Sequence, residues 1–341
     1  MGALPRLFRI PMQTQAILFT SKQTAALQPV SIPEPGAGEV IVQAEYTCIS
    51  PGTEGRLLAG TIVEATLFPY IAGYSLAGKI IAVGADCRFQ VGQRVWCTGT
   101  SKADVNITWG GHIAHALAPE PDLILLPDNV STLEASIGRL AAIAFHGSRL
   151  SKPQPHEKVA IVGLGPIGML SALCHAASGA EVIVTDRLPE RVKLAESLGL
   201  RGFVAGDSLV EDFRRFLPNG ADILVDATGL PNVSGSFIPA AKALAWDDTP
   251  NPVGARLLVQ GGTGFDYVSP PPPAFDGGIP PPRPRGPQPR AVAPIFDLRS
   301  RGKPPAAKLI PDVRPPAAAQ QAYADLREKR HQYQTIAFKW S

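Results

Sequence analysis

The 341-residue sequence contains no stretch of about 18 uninterrupted apolar residues, so it offers no candidate transmembrane helix. Its opening, MGALPRLFRIP, is broken by prolines and lacks the apolar core of a secretory signal, and it reads as an extension ahead of Met12. A cytoplasmic protein without a membrane partner is expected. Charge of one sign is also scarce. A formal net charge of +3 with no long Lys/Arg run is too weak a footprint for DNA or RNA, so nucleic acid is not an expected partner. Cysteine is sparse and scattered: Cys48, Cys87, Cys97 and Cys174 lack the close pairing that a structural zinc or a disulfide framework needs. The remaining composition, 45% hydrophobic and 18% charged, suits a globular chain, and its length exceeds one ordinary hydrophobic core. Two domains follow.

From Gln15 to about Leu126, short β-rich runs (QAILF, EVIVQAEYTCI, GKIIAVG, QRVWC, LILLP) are punctuated by Gly and Pro, the pattern of a compact, mostly β domain. A helical stretch, Thr132 to Arg149, leads to the linker-like SKPQPHE. At Lys158 the pattern changes to strands alternating with helices: KVAIVG, IGMLSALCHAAS, EVIVTD, PERVKLAESLG, GFVAG, DSLVEDFRRFL, DILVDATG and ARLLVQGG. Such alternation predicts an α/β, doubly wound parallel sheet of Rossmann type. AAAQQAYADLREK and TIAFKW then supply a closing helix and strand.

Between them, 269–316 is crowded with Pro, Arg, Gly and Ala, including PPPPAFDGGIPPPRPRGPQPR. Proline has no backbone donor and breaks ladders, so this segment is expected to be irregular and to supply neither an interior strand nor a helix. It reads as a surface polyproline loop, as a ligand for a proline-recognising module, or, the explanation we favour on composition, as GC-rich coding sequence translated out of frame.

The strongest motif is Gly163-Leu164-Gly165-Pro166-Ile167-Gly168, which follows a hydrophobic strand and opens a helix. Gly163 permits the tight turn, Gly165 lets the backbone approach a pyrophosphate, and Gly168 lets helix and strand pack closely. The helix N-terminus turns free N–H groups and a positive dipole end toward the phosphates, and Pro166 fits a first turn where a missing N–H costs nothing. Asp186 ends the next strand about twenty residues on, where a carboxylate accepts hydrogen bonds from ribose hydroxyls. It repels a 2′-phosphate, so NAD is favoured over NADP; the adjacent Arg187 is the feature that would accept that phosphate. Asp226 to Gly229 and Gly261-Gly262, at later strand ends, either line the same crevice or are ordinary strand-end turns.

The order of parts resembles the medium-chain dehydrogenase/reductase superfamily over nearly the whole chain, in PGAGEVIVQAEYTCIS, GYSLAGKIIAVGADCRFQVGQRV and RVKLAESLGL. The resemblance implies a GroES-like, mostly β catalytic domain over 1–150, completed by 312–341, and a Rossmann NAD(P)-binding domain over 151–295, in an enzyme that sometimes forms homodimers. The zinc enzymes of that superfamily carry a Cys in a C-G-T-D context and a His in a G-H-E context. Here those places read Pro51-Gly52-Thr53-Glu54 and Gly73-Tyr74-Ser75, RLAAIAFHG offers no third cysteine ligand, and the four-cysteine lobe expected after QRVWC is absent. Tetrahedral zinc needs three protein ligands and a water, so no metal is expected. SPGTEGRLLAG, FPYIAGYSLAGKI and AYADLREK with IAFKW look most like the zinc-less branch that contains bacteriochlorophyllide hydroxyethyl dehydrogenase, which oxidises a secondary alcohol to a ketone. In that comparison the Pro-rich segment replaces the final Rossmann strand, which puts dimerisation through that edge in doubt.

Without zinc, polar side chains must supply the proton partner for a substrate oxygen. By position in the resemblance, Thr53 matches the hydroxyl that relays a proton, or it stabilises a turn. Tyr74, in the place of the ligand histidine, donates to the substrate oxygen or caps a core strand. Glu54 orients Thr53, ionises as a base if buried, or is a structural glutamate in a loop, paired with an arginine such as Arg56. His146 lies where this branch often has a histidine, and is catalytic or simply packed. The expected function is NAD-dependent, zinc-independent interconversion of a secondary alcohol and a ketone on a small-molecule, largely apolar substrate. The alternatives are an NADPH-dependent enoyl or quinone reductase, a non-catalytic nucleotide-binding scaffold presenting PPPRPRGPQP, and the damaged product of a frame-shifted gene.

Overall fold

A computed structural model describes residues 11–61, 68–230, 233, 236, 238–240, 255–260, 289–302 and 306–341. The first part is built from β1 (Met12–Ser21), β2 (Thr24–Ile32), β3 (Glu39–Cys48), α1 (Pro51–Ala59), β4 (Tyr70–Ile71), β5 (Leu76–Val83), β6 (Arg94–Cys97), β7 (Asn106–Ile107), β8 (His115–Pro119) and β9 (Ile124–Leu125). β2, β1, β4 and β7 form one sheet in that order, and β3 pairs antiparallel with both β5 and β8 in a second. In β3, Val40, Ile41, Val42 and Ala44 are all buried, so the strand is covered on both faces at its start.

The predicted helix at Thr132 to Arg149 is two helices, α2 (Thr132–Ser136) and α3 (Gly138–Ser151), that meet at Ile137. Ser131 starts α2 through a capping box with Glu134, each side chain answering the other's backbone N–H.

The second part alternates as expected: β10 (Lys158–Val162), α4 (Pro166–Ala177), β11 (Glu181–Asp186), α5 (Pro189–Ser197), β12 (Arg201–Val204), α6 (Leu209–Phe216), β13 (Ile223–Asp226) and β14 (Arg256–Val259). The five strands are parallel in the order β12-β11-β10-β13-β14, with the direction of travel reversing beside β10. Both faces are covered. Val159 and Ile161 join the core shared with α3 and α4, while Ala160 and Val162 join the core that receives Phe213 of α6 and Leu217 just beyond it. This is a Rossmann-type sheet beside a sheet-rich GroES-like part. At the chain's end, β15 (Asp312–Arg314) and β16 (Ile336–Lys339) return to the first part, where β16 pairs with β3.

One expectation is overturned. Within 269–316, Pro289–Ser300 is a helix, α7, which buries Val292, Ile295 and Phe296. These residues stand at i, i+3 and i+4, so the apolar period of a helix face outweighs proline composition. Pro294 removes one backbone hydrogen bond, a local loss on the order of 3 kcal/mol that the buried face offsets. α7 packs on α3, and Gly138 makes room for it: a Cβ there would lie 2.9 Å from Phe296 Cζ. The proline-dense 269–288 lies outside the described residues.

If α7 is held by this face, Phe296→Ala lowers stability by ~3–5 kcal/mol. Chemical denaturation measures it, and a change under ~1 kcal/mol would show that the face is not part of the core.

Candidate functional site

The segment Pro51-Gly52-Thr53-Glu54, expected as a loop, is the first turn of α1, with Ser50 as N-cap residue and Pro51 in the first helical position. Helical geometry separates neighbours that the sequence sets side by side. Glu54 turns fully inward, whereas Thr53 is half-buried.

The expected pairing of Glu54 with an arginine such as Arg56 gives way to a buried network. Glu54 Oε1 accepts from the Ser50 N–H at 2.8 Å, and Oε2 faces both the His112 Nε2 at 2.8 Å and the Tyr323 hydroxyl at 2.5 Å. The Glu54 carboxylate can only accept, so the His112 Nε2 carries a hydrogen and donates to it, while Nδ1 lies 2.8 Å from Thr47 Oγ1. Trp340 can only donate, and its Nε1 lies 3.0 Å from Thr47 Oγ1. Tyr323 belongs to α8 (Ala319–Glu328), so this carboxylate joins α1, the chain before β8 and the C-terminal helix. Gly73 has φ +83, and a Cβ there would strike the His112 ring at 2.5 Å.

Tyr74 stands above this network. It is buried, its hydroxyl donates to Ser50 Oγ and lies in hydrogen-bonding reach of Thr53, and Trp109 meets its ring edge-on at 5.0 Å. Burial pushes its phenol up to about 12, with the Glu54 charge adding to the effect and the Ser50 hydrogen bond opposing it. Tyr74 is thus a hydrogen-bonding acid at neutral pH, not a base. Cys48, close by, is likewise pushed up to about 12 by burial and is no thiolate.

His146 is on α3, half-buried, with no hydrogen bond among the described residues. It shares a helix face with Arg139 and Ile143, about 10 Å along the axis from Arg139.

At the Gly163 turn the three glycines have different surroundings. Gly163 has φ +92, and Gly168 leaves no room, since a Cβ would sit 1.8 Å from Gly163 O. Gly165 is the opposite: nothing lies within 4 Å of its Cβ position, at the N-terminus of α4 where Pro166 follows and Ile167 is half-buried. The turn is open where a pyrophosphate would approach and closed where the helix meets the strand. Asp186 Oδ2 accepts from Leu164 N at 2.7 Å and pairs with Arg191 at 3.3 Å, while Oδ1 accepts from Leu188 N at 2.9 Å. Arg187 points to solvent. Asp226 closes its own strand-end turn, accepting from the backbone and hydroxyl of Thr228, and Gly229 has φ +66. Gly261 lies outside the described residues.

Two residues join the turn to the Tyr74 cluster. Gln334 Nε2 donates to Leu164 O at 2.8 Å, and the Thr335 hydroxyl donates to Ile49 O at 2.5 Å. Sequence reasoning missed Ser50, His112, Tyr323, Arg139, Arg191, Gln334 and Thr335. Arg191 carried a signal in its place within the first turn of α5, after Asp186. The others gain their roles only through long-range contacts.

Among the described residues no group of three or more His, Cys, Asp or Glu could hold a metal ion. None of their helices is long and apolar enough to cross a membrane.

Residues 36–128 match the family model described as alcohol dehydrogenase GroES-like domain, and residues 166–244 match that described as zinc-binding dehydrogenase. A zinc-type alcohol dehydrogenase-like protein of Escherichia coli is 29% identical over 266 residues, 68% of this chain and 74% of the relative. The 2-desacetyl-2-hydroxyethyl bacteriochlorophyllide A dehydrogenase of Cereibacter sphaeroides is 26% identical over 237 residues, 67% of this chain and 70% of the relative. The benzyl alcohol dehydrogenase of Acinetobacter calcoaceticus shares the fold with a TM-score of 0.79 at 18% identity, over 96% of this chain and 99% of that one.

The Tyr74 environment has a measurable consequence. A phenol raised from 10.0 to about 12 in the fold keeps its proton longer than in the unfolded chain, so its share of stability is complete below pH 10 and is lost as pH rises through 12. Tyr74→Phe has no group to ionise there, so the stability of the wild type should fall relative to that of the variant by about 2–3 kcal/mol between pH 10 and 12, whatever their difference below pH 10. Curves that stay parallel would show that Tyr74 ionises normally.

Proposed function

The chain belongs to the medium-chain dehydrogenase/reductase superfamily of oxidoreductases, and from that premise we propose that it interconverts a secondary alcohol and a ketone with NAD and without zinc. The observation that carries the cofactor reading is the open Cβ position of Gly165 between two glycines that are sterically required, on a turn whose Leu164 N–H is held by Asp186. Two further acceptors fit a hydroxyl-rich, carboxamide-bearing ligand: Gln334 Oε1, beside that turn, and Gln260 Oε1, just past the end of β14, are buried with no partner among the described residues. The backbone at Gly165 and the α4 N-terminus would hold the pyrophosphate, and the Asp186 carboxylate, with lone-pair capacity left beyond its two backbone N–H partners and Arg191, would accept the ribose hydroxyls. The bound nicotinamide supplies the hydride acceptor or donor.

The residues at the two places that hold zinc ligands in the related enzymes do not fit that metal. Pro51 has no donor atom, and the Tyr74 phenol is protonated and engaged with Ser50. The substrate oxygen would instead be hydrogen-bonded by the Thr53 and Tyr74 hydroxyls, and its proton would exchange with solvent water at half-buried Thr53, the open end of the Thr53–Tyr74–Ser50 chain. Glu54 does not reach the substrate as a base. Its oxygens are occupied by Ser50, His112 and Tyr323, and its role is to fix Ser50 and the start of α1.

A second reading, NADPH-dependent reduction of an activated C=C bond, draws on Arg187 and Arg191, two guanidinium groups near Asp186 of which the first is solvent-exposed. Fluorescence titration with NADH and NADPH separates the two. Tighter NADH binding is expected, and Gly165→Val should weaken it at least about tenfold (about 1.4 kcal/mol), with stability lowered by no more than about 1 kcal/mol for the lost glycine N-cap, since the Cβ position is open. Preference for NADPH would favour the second reading, and unchanged NADH binding by Gly165→Val would remove the turn from the site.

A further inference from the structure

Among the described residues Arg139 is a cation without a counter-ion. It lies in the first turn of α3, half-buried, with its backbone N–H on Ser75 Oγ at 3.3 Å and its guanidinium over the Tyr74 ring, Cζ 6.0 Å from the centroid. No carboxylate is paired with it among the described residues, whereas Arg191, Arg256, Arg299 and Arg314 all have one. A ring face contributes on the order of 0.5–2 kcal/mol to a cation, while drawing a charge out of water costs several kcal/mol. Burial accordingly pulls the Arg139 guanidinium below its usual range. Among the described residues, its surroundings supply no anion.

An exposed aromatic ring also borders Tyr74. Trp109 packs edge-on against Tyr74 while 38% exposed, and it holds φ +66, a left-handed conformation that a bulky side chain rarely adopts. Such outliers gather at ligand clamps. Along α3, Ile143 and His146 extend the Arg139 face toward Gln260, whose Nε2 donates to Ile143 O and Ala144 O. The cation thus stands at the Tyr74 end of a surface that runs to the end of the parallel sheet.

We propose that Arg139 is an anion-recognition residue of the substrate pocket and that the substrate is a hydroxy or oxo compound bearing a carboxylate. The guanidinium fork binds the carboxylate in bidentate fashion, leaving the Thr53–Tyr74 pair for the reacting oxygen. This rests on the alcohol–ketone reading above and adds the substrate class to it.

The test uses 4-oxopentanoate and its methyl ester on the full chain. Binding is followed by tryptophan fluorescence, in which Trp109 reports, and turnover by oxidation of NADH. The acid should bind at least about tenfold tighter than the ester, since a charged hydrogen-bonding partner contributes ~1.5–3 kcal/mol. Arg139→Gln should abolish that preference with NADH affinity unchanged, and Arg139→Lys should keep part of it. Equal binding of acid and ester by the wild type, or a preference that survives Arg139→Gln, overturns the proposal. Arg139-dependent acid binding with no turnover of either compound would support the anion site and count against the alcohol–ketone reading.

Discussion

The buried carboxylate of Glu54 is the constraint on which the site depends. A fully enclosed carboxylate is tolerable only when its oxygens are hydrogen-bonded, and here the Ser50 N–H, the His112 ring and the Tyr323 hydroxyl do so from three separate parts of the chain. Removing any of them leaves the others facing an unsatisfied group. The start of α1, the chain before β8 and α8 are therefore set relative to one another by a single side chain. Tyr74 inherits that placement, because Ser50, which receives its hydroxyl, is also the residue whose backbone Glu54 holds.

The C-terminal segment carries this order across to the parallel sheet. Gln334 and Thr335, adjacent in sequence, hold the glycine turn on one side and Ile49 on the other. Arg191 makes a second tie, pairing with Asp186 and donating to Arg330 O at 3.2 Å. A cofactor at the turn and a substrate at Tyr74 would thus lie on groups whose relative position is fixed by hydrogen bonds, the condition for productive orientation of two reactants.

Much of this was legible beforehand where physics is local. The β-rich run EVIVQAEYTC and the apolar runs KVAIV and EVIVTD marked their strands, and the glycine spacing marked the turn. Composition misled at α7, where proline density hid a helix face of Val292, Ile295 and Phe296. Thr53, Glu54 and Tyr74 were picked out by their places in the resemblance, and the structure brings them together. Their roles were not readable, because the direction in which Glu54 points depends on His112 and Tyr323, 58 and 269 residues away. Arg139 left no mark at all: that no carboxylate among the described residues faces an arginine is recognisable only once its neighbours are known.

The central claim is that protein side chains around Tyr74, not zinc, handle the substrate oxygen. The direct test compares NAD reduction by 4-hydroxypentanoate and 2-butanol before and after exhaustive chelation, with zinc content measured on the same samples. The account predicts that turnover does not follow zinc content and is not raised by adding zinc. Turnover that disappears with the metal and returns with it would contradict the account.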